Sequence, residues 1–196
     1  SRIIRKGRPM TSSVTSRSDL LQETDTARVS IRMLMDLMGK SAWRSGDGSG
    51  PWQATLAALV LALEPACKTR RLLDALPAAN TDGMTGVQNT LANLGYYSER
   101  MTLRLGDIDP RLLPCLFVPD GRRDAPLAIL SSADGDITLY DSKTHDIQRL
   151  PRRGRGTGMS GTVCFFRPYD AQRQATSKIM RAATGRGLPP PTAAPS

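Results

Sequence analysis

The segment Pro51-Trp52-Gln53-Ala54-Thr55-Leu56-Ala57-Ala58-Leu59-Val60-Leu61-Ala62-Leu63 narrows the choice of fold more than any other stretch of this chain. Its apolar residues fall on every side of a helix rather than on one stripe, so a helix here has to be surrounded. Only a protein core or a bilayer surrounds a helix. The apolar run from Ala54 to Leu63 is about ten residues long and contains Thr55, whereas a membrane span needs roughly 18 apolar residues or more. The segment therefore predicts a central core helix, opened by Pro51 at the favoured first position and closed before Glu64-Pro65. The rest of the chain must supply the layers that cover it.

On the N-terminal side, residues 1–25 are rich in Ser, Thr and Arg without periodicity and read as disordered. A helix is expected over 26–40, with Val29, Arg32, Met33, Asp36 and Leu37 about one turn apart and Ile31, Leu34, Met35 and Met38 widening the apolar stripe. Ser45 to Gly50 then reads as a flexible hinge. After the central helix, an amphipathic helix is expected from Lys68 to Leu76, ended by Pro77, and another from Thr85 to Leu94, closed by Gly95. Beyond Tyr96 the period changes. Tyr96–Leu105, Leu113–Val118, Pro126–Ser131, Ile137–Asp141, Ile147–Leu150 and Gly161–Phe166 read as strands. Ala133-Asp134-Gly135-Asp136 and Ser142-Lys143-Thr144-His145 read as hairpin loops. Helices first and short strands after is the α+β pattern, here with helices packed on a small antiparallel sheet. The domain boundaries follow: an extension over 1–45, a folded unit over 46–170, and a basic, Pro-rich linker or tail over 171–196 with a short basic helix at 171–186.

Composition removes several functions. The cysteines, Cys67, Cys115 and Cys164, are odd in number and far apart, and His145 is the single histidine. A zinc site built from Cys and His lacks ligands at workable spacing, so no metal or other cofactor is expected in this domain. Their apolar neighbours make the cysteines core residues of a reducing compartment. The net charge of +9 suggests nucleic acid until it is divided along the chain. Residues 1–50 carry nine Lys/Arg against five Asp/Glu, residues 51–150 ten against twelve, and residues 151–196 eight against one. The basic charge thus lies in the flanks, which makes nucleic acid an unlikely partner and fits an anionic membrane surface or solubilising tails. No apolar stretch follows the basic N-terminal residues, so no secretory signal is read there.

Three stretches carry a resemblance: Gly50-Pro51-Trp52-Gln53-Ala54-Thr55-Leu56, Leu72-Leu73-Asp74-Ala75-Leu76-Pro77 through Gly95-Tyr96, and Leu113-Pro114-Cys115-Leu116-Phe117 on to Ala128-Ile129-Leu130 and Leu139-Tyr140-Asp141. In order and spacing, Gly48 to Pro168 resembles the papain-like cysteine peptidases that cut double-glycine leaders at the N-terminus of bacteriocin-exporting ABC transporters. The resemblance implies a papain-like fold and a Cys–His–Asp site. It matches the nucleophile to Ser49, the histidine to about Ala125 and the aspartate to Asp141. No thiolate–imidazole pair can be assembled from such residues, so the expectation is a peptidase-like domain that is not an enzyme. Among exporters of this type the pattern is similar to the haemolysin and large-adhesin branches. There the degenerate domain binds the unfolded secreted RTX-type protein, and the membrane-spanning and ATPase domains would follow residue 196. A retained cleft would have Ser49 and Trp52 on one side and Asp141 on the other, with Tyr96, Tyr97 and Tyr140 as further substrate-binding candidates. The competing readings are an active cysteine or serine leader peptidase using Ser49, His145 and Asp141, and a basic nucleic-acid or anionic-surface binder working through Arg152-Arg153-Gly154-Arg155.

Overall fold

The computed structural model of the chain describes residues 27, 30–41, 43 and 50–170. The expectations for residues 1–25, for the hinge at 45–49 including Ser49, and for the tail at 171–196 lie outside the described residues.

Helix α1 covers residues 30–38. Of its expected stripe, Ile31 and Met38 are buried, Leu34 and Met35 pack at the core's margin, and Met33 is exposed. The buried face is therefore the i, i+3, i+4, i+7 set starting at Ile31, a cleaner helical face than the Val29–Leu37 set. Ile31, Met38 and the fully buried Trp43 share one core with the later helices. The helix-facing core thus draws on side chains from residue 31 onward.

Helix α2, Gly50–Leu63, is the central helix, and every residue from Trp52 to Val60 is buried. Helix α3, Thr69–Ala75, buries Leu72 and Ala75. Helix α4, Gly83–Asn93, begins at Asp82, whose carboxylate accepts the Thr85 amide as an N-cap. Two tryptophans lie on α4, and each requires a glycine. A Cβ on Gly83 would stand 2.3 Å from the Trp52 ring, and one on Gly86 would stand 2.4 Å from the Trp43 ring. Trp43 also fastens the chain ahead of α2, because Gln53 Nε2 donates to its carbonyl at 3.1 Å.

Six strands follow: β1 Tyr96–Arg104, β2 Cys115–Pro119, β3 Leu127–Ala133, β4 Asp136–Asp141, β5 Asp146–Pro151 and β6 Ser160–Pro168. They form one antiparallel sheet in the order β1-β6-β2-β3-β4-β5. The α+β class, with helices on an antiparallel sheet, is as expected. Alternation divides the strands between two cores. Leu116, Val118, Ala128, Tyr140, Cys164 and Phe166 face the helices. Cys115, Phe117, Leu127, Ile129, Leu139, Val163 and Phe165 face the other way, under Leu105, Ile108 and the segment to Leu113. Burial on both faces is why β2 and β6 read as continuous apolar runs. The β3–β4 hairpin turns at Asp134 and Gly135, with φ of 54° and 79°, the left-handed pair its sequence predicts.

Candidate functional site

The first turns of α2, the start of β3 and the end of β4 meet at one point, the carbonyl of Pro126. Ser142 Oγ donates to it at 2.6 Å, and Thr55 Oγ1 approaches it at 3.3 Å. The Thr55 hydroxyl also reaches back to the Pro51 carbonyl at 2.8 Å. Thr55, Pro126 and Ser142 are all buried. Asp141 pairs across the ladder with Leu127, and Ala125 directly precedes Pro126, so both lie beside this knot. Asp141 shares its face of the sheet with Leu127, the face turned away from the helices.

The groups at this point are held by near neighbours in the chain. Ala125 is a buried methyl group in the turn before β3, its amide donating to Arg122 O at 3.1 Å. Asp141 Oδ1 accepts the amides of Lys143 and Thr144 at 2.8 and 3.4 Å, so its carboxylate caps the β4–β5 turn. His145 sits in that turn at φ 53°, and its Nδ1 shares a 3.1 Å hydrogen bond with the Tyr140 hydroxyl. Burial pushes the Tyr140 phenol above its ordinary pKa. The charge of Asp141 adds to the rise and Arg32 opposes it. The thiols lie elsewhere. Cys115 and Cys164 are buried in the sheet and Cys67 follows the end of α2. Burial raises all three thiols, with the charge of Glu64 helping at Cys67 and hydrogen bonds from Ser98 and Gln88 opposing at Cys164. Among the described residues no group of His, Cys, Asp or Glu could hold a metal ion.

The aromatic candidates are split rather than gathered into one groove. Trp52 is 4% exposed, with its ring face against Gly83, and Tyr140 is 2% exposed. Both are placed as core residues, because each side chain points from its element into the helix-facing core. Tyr96 is also buried, and its phenol is raised by that burial and by the adjacent Glu64 just past the end of α2. Trp52 lies near the start of α2, which runs Gly50–Leu63, so about twelve residues and a rise of about 18 Å separate it from that end. Tyr97 is half-buried and packs against Tyr169, ring centroids 6.0 Å apart, with Tyr169 47% exposed. Sequence reasoning missed Tyr169, Ser142 and the role of Thr55. The signal for the last was present: a lone hydroxyl inside an otherwise apolar helix has to find an acceptor.

No protein-family profile and no curated protein sequence matches the chain. Solved structures similar to it include two domains of transport proteins. One is the N-terminal peptidase C39-like domain of a toxin secretion ATP-binding protein from Vibrio parahaemolyticus, at 14% identity and a TM-score of 0.38, covering 53% of this chain and 84% of that one. The other is the peptidase domain of Streptococcus ComA, a bi-functional ABC transporter involved in a quorum sensing pathway. It matches at 17% identity and a TM-score of 0.42, over 61% of this chain and 90% of that one. Among the described residues no helix is long and apolar enough to cross a membrane.

Proposed function

We propose that this chain is a non-catalytic, peptidase-like domain that recognises or tethers the unfolded secreted substrate of a type I secretion ABC transporter. Its partners are an RTX-type secreted protein and the membrane-spanning and ATPase domains of the transporter, at the cytoplasmic face of a bacterial inner membrane. The observation that supports this reading most directly is the chemistry at the head of α2. The helix opens Gly50-Pro51-Trp52 with no thiol in its first turns, and the turn before β3 offers the Ala125 methyl group. The single histidine is engaged with Tyr140, and Asp141 holds a turn. A substrate-binding role falls to exposed surface, where Tyr97 and Tyr169 present paired rings suited to an extended peptide.

The test has two arms. Incubation with a double-glycine leader peptide is expected to give no cleavage; cleavage that Ser49→Ala abolishes would establish the peptidase reading instead. Titration with a calcium-free, unfolded RTX-type chain is expected to give saturable NMR shifts that weaken in a Tyr97→Ala/Tyr169→Ala variant. Absence of shifts anywhere on the domain would overturn the recognition role.

A further inference from the structure

We propose that the pocket between the end of β1 and the β5–β6 loop is an anion site that takes a single phosphate group. The pocket has a volume of about 600 Å³, and Arg104, Arg152 and Arg153 line it together with Gly106, Gly154 and Gly158. It lies at the far end of β4 and β5 from the Pro126–Ser142 knot, so it stands or falls apart from the function proposed above.

The site is built rather than a chance cluster of side chains. Arg152 is half-buried and held at two points, Nε donating to Gly106 O at 3.0 Å and Nη2 to Ile108 O at 2.8 Å. Its Nη1 is left without a protein acceptor among the described residues. The loop that carries it is pinned by the buried Thr157. That side chain lies 2.9 Å from Arg152 O and 3.1 Å from Gly154 O, and it accepts the Gly154 amide at 3.1 Å. The main chain at Gly158 is open, with nothing within 4 Å of where a Cβ would stand.

Charge points the same way. Around this corner two arginines outside the pocket are paired, Arg149 with Asp136 at 3.0 Å and Arg111 with Asp109 at 2.6 Å, while the exposed Arg155 of the same loop adds to the positive charge. Arg104 and Arg153, which line the pocket, have no carboxylate partner among the described residues. Asp107 also lines it, so three guanidinium groups face one carboxylate, a net charge of +2. That balance suits one phosphate, which planar guanidinium forks bind in pairs of hydrogen bonds. It does not suit a nucleic-acid backbone. Asp107 lines the pocket and the charge of Asp109 is felt by Arg152, so a continuous line of phosphates would meet carboxylates here.

The phosphate could belong to a lipid headgroup or to a small soluble compound, and the experiment separates the two. The 196-residue chain is titrated with inorganic phosphate at constant ionic strength and followed by amide NMR. Saturable shifts are expected at Gly106, Gly154 and Gly158, weakened about tenfold in Arg104→Gln and in Arg153→Gln. Both positions are exposed, so the fold should survive, and unchanged chemical shifts across β2 and β6 would show it. Co-sedimentation with phosphatidylcholine vesicles, with and without phosphatidic acid, forms the second arm. Binding only to the phosphatidic-acid vesicles, lost in the same variants, supports the site with a lipid as its source. Phosphate shifts without vesicle binding support it with a soluble one. Shifts that stay linear in phosphate, or that survive both substitutions, overturn the site. So does steeply salt-dependent binding of single-stranded DNA through the same arginines without saturable phosphate binding.

Discussion

Removing the two hydroxyls that meet on the Pro126 carbonyl tests how the head of the central helix is held. Ser142 Oγ donates to that oxygen at 2.6 Å, while Thr55 Oγ1 lies 3.3 Å away. Thr55 has one hydroxyl hydrogen and a nearer acceptor, Pro51 O at 2.8 Å, so in the intact protein its own helix holds most of it. Ser142 is then the main donor to Pro126. In Ser142→Ala the Thr55 hydrogen can swing to Pro126 and soften the damage, for an expected loss of about 1 kcal/mol. In Thr55→Val the shape is kept and Ser142 still serves the carbonyl, so the loss should be no more than about 1 kcal/mol. In the double variant the buried carbonyl has neither hydroxyl, and a buried acceptor left bare costs about 1–3 kcal/mol. The double variant should therefore lose more than the sum of the single losses, by about 1 kcal/mol. Urea unfolding followed by far-UV circular dichroism measures all four proteins, with equal m-values required for the comparison. Additivity within about 0.5 kcal/mol would refute the reasoning, because two independent hydroxyls would behave that way.

Three further outcomes follow from the same structure. Gly86→Ala places a Cβ 2.4 Å from the fully buried Trp43 ring; overpacking of about 1–3 kcal/mol should outweigh the ~1 kcal/mol that alanine gains in a helix. Gly158→Ala, with open space around it, is the control and should change stability by less than about 0.5 kcal/mol; a higher melting temperature for Gly86→Ala would contradict the packing described. The Asp109 carboxyl, hydrogen-bonded by the Arg111 side chain and amide, should titrate at about 2 rather than its ordinary 3.8. A lowered folded-state pKa means the contribution is present above the ordinary value and is lost as pH falls toward 2. Carbon NMR of the carboxyl should show this and move upward in Arg111→Gln, whereas a midpoint at the ordinary value in the intact chain would count against the pair. Cys67 should label with a thiol reagent in the native protein, while Cys115 and Cys164, both buried in the sheet, react only on unfolding; native labelling of either sheet cysteine would contradict their placement.

The second half of the chain was legible because its signals are local. Asp134-Gly135 marks a turn wherever it stands, and the alternation of β3 and β4 reports which side chains face which core. The place of α1 was not legible, since nothing in residues 30–38 says that Ile31 and Met38 pack beside Trp43 under α4. That contact depends on Gly86 making room for a ring 43 residues earlier, which is tertiary information. The site was half legible. The resemblance matched positions to about Ala125 and to Asp141, and the fold sets both beside the Pro126 carbonyl that Thr55 approaches from α2. Trp52 and Tyr140 could not be told from groove residues by composition, because an aromatic side chain suits a core and a cleft equally well. The glycine opposite Trp52 decides between them, and only the fold reveals it.

The two cores divide the apolar packing of the fold between the faces of the sheet. The helix-facing core joins α1, α2, α3 and α4 to one side of the sheet, and a second core closes the other side under Leu105 and Ile108. Both cores are built of apolar side chains, and Asp141, partly exposed at the end of β4, is held instead by the amides of its own turn. What that position does require is a partner for each polar atom carried inward by the helix and strands. Thr55 meets the requirement mainly at Pro51 and Ser142 at Pro126, and Asp141 meets it on the amides of its own turn. A hydroxyl engaged by a carbonyl and a carboxylate engaged by amides are satisfied without water or substrate. Adding a thiol and an imidazole here would leave those groups engaged as they are. A Ser49→Cys/Ala125→His chain should accordingly remain poorly active with leader peptide so long as Ser142 and Thr55 keep their bonds, and efficient cleavage by that variant would show that the knot offers no obstacle.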